Sequence, residues 1–227
     1  MEGNSKLEAS RSTAQLAGPG LAGTVIQVLS VQVAIPLDAI SFLISGVLIG
    51  LIRRREDPPA RAGRASLLTE MREGLRVVFG NRLLWAIAGC TGTHNFFSSA
   101  FFALYILFVT RDLGLAPAAI GAVFSVANVA GLAGAIVAGR LGGRLGVGPV
   151  IVGSALVGGL GLIPAVLATR TTAVPLLVLS GLLGSFSGTV YNINQVSLRQ
   201  AITPDRLQGR MNATMRFLVR GQCRSAA

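Results

Sequence analysis

A chain of 227 residues that is 52% apolar and only 13% charged has far less charge than a water-soluble domain, where roughly 25% of residues ionise. Its mean hydropathy of +0.65 excludes a disordered polar tail, and its 29 glycines keep no every-third-residue period, which excludes a collagen-like rod. A net charge of +11 invites a nucleic-acid reading, but the cations lie between apolar runs and form no basic face, so composition points to an integral membrane protein without a nucleic-acid partner.

Residues 1–15 are polar and hold Glu2 and Glu8 where a signal peptide would carry a basic start. Six apolar runs follow, at about 12–29, 33–52, 83–109, 118–138, 150–168 and 173–197. A bilayer core of about 30 Å takes about 20 helical residues. Barrel strands would be about 10 residues with strict alternation, whereas these runs are longer, continuous and rich in Gly, Ala and Leu. The sequence therefore predicts an all-α integral membrane protein with six transmembrane helices, its lipid-facing surface partnered by the bilayer itself.

In the first run stands Gly18-Pro19-Gly20-Leu21-Ala22-Gly23. Pro19 removes a backbone donor and the glycines present a smooth face, so this helix is expected to kink and slide on a neighbour. The second run holds Asp38, the lone acid well inside a span. A carboxylate there costs about 2.5 to 3.5 kcal/mol on insertion scales. It is a coupling candidate for protons, or it follows Pro36 in the first turn, satisfying free helix amides and reaching Ser41; the second reading is preferred.

Residues 53–82 open with Arg53-Arg54-Arg55 and Glu56-Asp57-Pro58-Pro59, a solvated break. Leu67, Leu68, Met71, Leu75, Val78 and Phe79 then recur at three or four residues opposite Glu70, Arg72, Glu73 and Arg76. That pattern predicts a short helix lying along the membrane surface, as a connector between two bundles.

Midway along the third run, His94 and Asn95 fall beside Thr91, Thr93, Ser98 and Ser99 amid Phe96, Phe97, Phe101 and Phe102. The mixture suits a cavity for an amphipathic organic solute, or interhelical hydrogen bonds. Asn128 and the group Tyr191, Asn192, Asn194 and Gln195 allow the same two readings. The substrate-cavity candidates are therefore His94, Asn95, Phe97, Ser98, Asn128, Asn192 and Gln195. Between the fourth and fifth runs, 139–146 reads as a tight cationic turn in which Gly139 and Gly146 reverse the chain and Arg140 and Arg144 reach helix-end carbonyls.

Arginine placement sets orientation. Residues 53–82 carry eight Arg, the next such connections carry Arg140 with Arg144 and Arg199 with Arg206 and Arg210, and the alternate ones only Arg111 or Arg170. Both termini are expected in the cytoplasm. Cys90 and Cys223 make neither a disulfide framework nor a metal site. No zinc-protease, nucleophile-elbow or phosphate-loop motif occurs, so the chain is read as no enzyme, with no cofactor and no metal, and any transport must draw on an ion gradient.

Five stretches carry a family resemblance. Residues 139–146, Gly-Arg-Leu-Gly-Gly-Arg-Leu-Gly, resemble the second-half copy of the major facilitator superfamily loop signature Gly-x-Leu-Ala-Asp-Arg-x-Gly, with Gly143 where the family often has Asp. Residues 18–23 are similar to the Gly-Pro-x-x-Gly-Gly signature of the fifth helix of family exporters, with Ala22 in place of one glycine. Asn4-Ser5 with Leu7-Glu8-Ala9-Ser10-Arg11, residues 37–42 and residues 203–213 resemble the bacterial subgroup that includes the enterobactin exporter and the transmembrane secretion effectors.

The resemblance implies a partial major facilitator fold, with the six runs similar to helices five to ten of twelve. Residues 1–52 would be the last two helices of the N-terminal half, 53–82 the cytoplasmic central loop, 83–219 the first four helices of the C-terminal half, and 220–227 an aberrant polar tail. It implies a bacterial inner-membrane transporter exporting drugs or siderophore-like small molecules, with protons the usual coupling ion. The chain is expected to be a truncated piece without autonomous transport. The alternative is a six-helix membrane scaffold or partner subunit.

Overall fold

The computed structural model describes residues 2–51 and 67–221. Its elements in chain order are α1 (Glu2–Leu29), α2 (Val31–Gly50), α3 (Leu67–Gly80), α4 (Arg82–Leu107) continued by a π-helical turn (Phe108–Asp112), α5 (Pro117–Leu145), α6 (Val147–Leu160), α7 (Ile163–Val166), α8 (Ala173–Ile202) and α9 (Asp205–Gly221). Among the described residues, five helical stretches are long and apolar enough to cross a bilayer, and α1 adds a shorter apolar segment, Ala14–Leu29. Four of the six predicted runs lie within helical segments; 33–52 runs past the end of α2, and 150–168 is broken between α6 and α7. The break at Arg53 to Pro59 and the tail at 222–227 lie outside the described residues.

Local chemistry sets several boundaries. The Asn81 side chain accepts from the Leu83 and Leu84 amides at 3.0 and 3.3 Å and starts α4. Pro117 opens α5, where a missing N–H costs nothing. The expected turn over 139–146 is instead helix to Leu145, because the reversal needs only Gly146, at φ 85°. Gly139, Arg140 and Arg144 therefore ride on the last turns of α5.

Lipid-type packing turns the usual burial inside out. No residue of α2 is buried, and large apolar side chains such as Phe42 and Ile49 point outward. The buried set includes Ser154, Ser180, Ser187, Asn194 and Gln195. These polar groups share the inside with small and apolar side chains while many large apolar ones face outward, as expected where the solvent is hydrocarbon.

Three apolar clusters hold the helices together. Val109, Leu113, Val123, Ala165, Ala168, Ala173 and Leu177 join the π-helical end of α4 to α5, α7 and α8. Ala138, Val150 and Val190 join α5, α6 and α8. The third cluster, Val78, Leu84, Ala88, Met211 and Met215, packs α3 against α4 and α9. This corrects the expectation for α3. Its apolar stripe does not simply lie on a membrane surface, because α9 offers Met211 and Met215 to cover Val78, which is 0% exposed. Glu73 also pairs with Arg210. Met71 and Phe79 stay exposed.

Asp38 needs a second correction. Since α2 begins at Val31, Asp38 lies beyond the first turn and caps no free amides. The Ser41 hydroxyl donates to the Asp38 carbonyl oxygen at 2.7 Å and not to its carboxylate.

Candidate functional site

The most specific geometry lies where α1 crosses α5 antiparallel. A Cβ at Gly23 would fall 2.5 Å from the Pro117 carbonyl oxygen and 3.1 Å from Gly121 Cα; one at Gly121 would fall 3.2 Å from Gly23 Cα and run into the Pro19 carbonyl. One at Gly20 would sit 2.9 Å from Ser125 Oγ. The two backbones therefore touch, as only glycine permits. Gly18, by contrast, faces open space, so of the three motif residues Gly18, Pro19 and Gly23 only the last two join the contact.

Polar bonds pin both ends of this seam. Gln27 Oε1 accepts from the Ala118 amide at 3.1 Å, satisfying a donor at the α5 start that has no partner within its own helix. At the other end Asn128 Nδ2 donates to the Gln15 carbonyl at 2.7 Å. Gln15 is four residues before Pro19, so its carbonyl is the one that proline leaves without an N–H. Asn128 replaces that lost helix bond from across the seam. Of the two readings the sequence allows Asn128, cavity lining or an interhelical bond, the structure shows the interhelical bond.

The remaining candidates are dispersed. His94 is exposed and its Nε2 lies 3.4 Å from Ser98 Oγ, one turn along the same helix. Phe97 is 64% exposed and packs edge-on to Phe96, with centroids 5.4 Å apart. Asn95 is half-buried, and its carbonyl accepts from Ser99 Oγ at 2.9 Å. Asn192 is exposed and accepts from Gln195 Nε2 at 3.3 Å. No hydrogen bond among the described residues links the His94 group to Asn128 or Asn192.

Two contacts on α8 tie it to its neighbours. Tyr191 Oη and Thr91 Oγ1 share a hydrogen bond of 2.9 Å that joins α8 to α4. Asn194 is buried and donates to the Ala138 carbonyl of α5 at 3.2 Å and to Val190 at 2.9 Å. Its side chain fills the notch at Gly142, where a Cβ would lie 3.5 Å from Asn194 Cγ. Arg140 and Arg144 of the loop motif are exposed, so the motif's buried contact is made by Gly142 and not by its arginines.

Sequence reasoning missed the pairing of Glu73 with Arg210 and the capping role of Gln27. A signal for the first was present, because Met211, Thr214 and Met215 repeat at three and four residues as a second amphipathic face for α3 to meet. No local pattern marks the second.

No curated protein and no solved structure matches the chain. The profile of the Major Facilitator Superfamily matches residues 2–221, from the start of α1 to the end of α9. Apolar helices of spanning length and a match over almost every residue lead to one conclusion: the chain belongs to the major facilitator superfamily, as a multi-pass membrane protein of transporter type.

Proposed function

We propose that the chain is the central part of an ion-gradient-driven exporter of drugs or siderophore-like small molecules in a bacterial inner membrane. In this reading α1 and α2 (within 1–52) close one half, residues 53–82 form a cytoplasmic link, and 83–219 open the other half. The arginine-rich connections keep both termini in the cytoplasm.

The observation that carries the reading is the Asn128 bond to the Gln15 carbonyl across a glycine seam. Alternating access needs two rigid parts that rock over a smooth contact. A seam between a helix of each half, with glycine in the middle and one bond that compensates a proline, supplies such a contact. The exposed His94 and Phe97 and the half-buried Ser98 would line the solute path with Asn95, Asn192 and Gln195. Asp38 is the coupling acid of this proposal: it lies about 10 Å along α2 from Val31, and among the described residues no group bonds its carboxylate.

The described helices leave α2 and the His94 face open, so by itself the chain would not seal a transport path. Proteoliposomes holding the chain alone should show no proton-gradient-dependent flux of a hydrophobic dye or a catecholate chelator. Cells expressing the gene with its flanking DNA should accumulate less of either compound, in a manner abolished by a protonophore and by Asp38→Asn. Unchanged accumulation in those cells would overturn the exporter reading.

The alternative of a membrane scaffold is favoured by one observation, that α2 has no buried residue. Stable co-purification of a helical membrane partner, with no flux in the same cells, would establish it.

A further inference from the structure

α9 covers only part of the apolar stripe of α3. Gly74 and Val78 are buried, and a Cβ at Gly74 would lie 3.0 Å from the Arg210 carbonyl oxygen, so α9 rests directly on this side. The adjoining side is open. Met71 and Phe79 are 50% and 56% exposed, Leu75 between them is half-buried, and four-residue spacing sets the three in one row. Arg72 and Arg76, both exposed, form the next row of the same helix. Of the acids on α3, Glu73 pairs with Arg210. Position 70 is two residues from Arg72 and six from Arg76, spacings that bring no pair together on a helix.

This open side stands at the membrane boundary. Only Asn81 separates α3 from α4, and Arg82–Asp112 is long and apolar enough to span a bilayer. Val78 packs in one cluster with Leu84 and Ala88, which lie about 3 and 9 Å along the α4 axis from Arg82. The end of α3 therefore lies beside the first two turns of a spanning helix. Trp85, exposed on those turns, marks the level where acyl chains meet headgroups. A row of apolar side chains beside a row of cations sinks into that boundary while its arginines stay with the headgroups. The apolar row by itself would fit any lipid, whereas the two arginines select an anionic one, each adding its own attraction to a charged leaflet.

We propose that the open edge of α3 docks on an anionic lipid leaflet, with Met71, Leu75 and Phe79 in the acyl boundary and Arg72 and Arg76 on the phosphates of phosphatidylglycerol-type headgroups. α3 is then shared between α9 and lipid, and it ties residues 67–80 to the bilayer at the foot of α4. This docking requires a membrane around α4 but no transport, so it stands or falls separately from the export reading.

The test uses the full chain in vesicles. Trp85→Phe removes its single tryptophan, and Phe79→Trp places an indole on the open edge. Brominated phosphatidylglycerol, mixed into phosphatidylcholine, is expected to quench that indole as if enriched beside it at least about fivefold over brominated phosphatidylcholine. Arg72→Gln with Arg76→Gln should bring the two lipids to equal quenching. Both arginines are exposed, so the thermal midpoint and the quenching by phosphatidylcholine should stay as they were, which separates lost docking from lost fold. Arg111→Gln, at the other end of the span, should leave the preference intact, and high salt should erode it. Native mass spectrometry of the unsubstituted chain gives a reading without the indole: phosphatidylglycerol adducts should fall at least about threefold in the double arginine variant. An indole that no brominated lipid quenches would put the edge in water and overturn the docking. Equal quenching with both arginines present, or a preference that survives their replacement, would overturn it as well.

Discussion

Asn128 on α5 donates its side-chain amide to the backbone carbonyl of Gln15 on α1 at 2.7 Å, and that carbonyl is the one Pro19 leaves unbonded. A proline inside a spanning helix exposes a carbonyl to hydrocarbon, where no water can meet it. The chain answers with a side chain from a neighbouring helix, so the proline and its compensation form one unit across the seam.

Asn128→Leu should therefore destabilise the fold by about 0.5 to 1.5 kcal/mol, the net worth of one hydrogen bond. Pro19→Ala supplies the missing N–H from within α1, so the same asparagine change should cost much less in that background. A double-mutant cycle of denaturant unfolding in micelles reads the coupling; strictly additive effects would sink the idea that the two residues act together.

Substitutions along the glycine motif should separate by position. Gly23→Ala and Gly121→Ala force backbones apart at the crossing and are expected to lower the thermal midpoint by several degrees, on the order of 1 to 3 kcal/mol of overpacking. Gly18→Ala meets nothing within 4 Å and should be neutral or slightly stabilising through its better helix propensity. Equal loss at positions 18 and 23 would contradict the seam.

At the α5–α8 contact, Asn194→Leu removes the donor to the Ala138 carbonyl and crowds the Gly142 notch. We expect a loss of about 1 to 3 kcal/mol. The change should be read as an earlier thermal midpoint together with faster amide exchange at the end of α5; unaltered exchange there would argue that another contact holds the pair.

The α3–α9 contact should depend on its apolar part more than on its ions. Glu73 and Arg210 are 44% and 33% exposed, so Glu73→Gln should cost no more than about 1 kcal/mol and less in high salt. Val78→Asp buries a charge against Met211 and Met215 and should release α3, seen as rapid protease cleavage between 67 and 80. Protection of that segment in Val78→Asp would show that α9 does not hold it.

Orientation can be measured directly. A cysteine placed at Arg144 should react with a membrane-impermeant maleimide only from the cytoplasmic side, and one at Arg170 only from outside. The reverse pattern would invert the arrangement argued from arginine placement.

Much of the architecture was legible in the sequence because hydropathy belongs to each segment by itself. Runs such as 33–52 and 173–197 are long and apolar enough to span whatever surrounds them, and the spacing of Val78 and its neighbours is enough to make α3 amphipathic. The Pro19 and Gly23 motif likewise announced a close helix contact before any partner was known. Its partner did not follow, since Gly121 is one of many glycines and nothing local marks it as the one that meets Gly23.

The same limit explains the residues that changed meaning. Asn128, a cavity candidate by sequence, bonds the carbonyl freed by Pro19, 109 positions earlier in the chain. Asp38 moved from a capping turn to the interior of a helix because α2 begins at Val31, where the single residue Ser30 separates it from α1. The residues alone determined that this protein is a helical membrane transporter of a known superfamily, with spans and boundaries nearly in place. Only the tertiary structure decided which polar groups answer one another, because a hydrogen bond in lipid depends on the approach of two helices, and that approach is a property of neither.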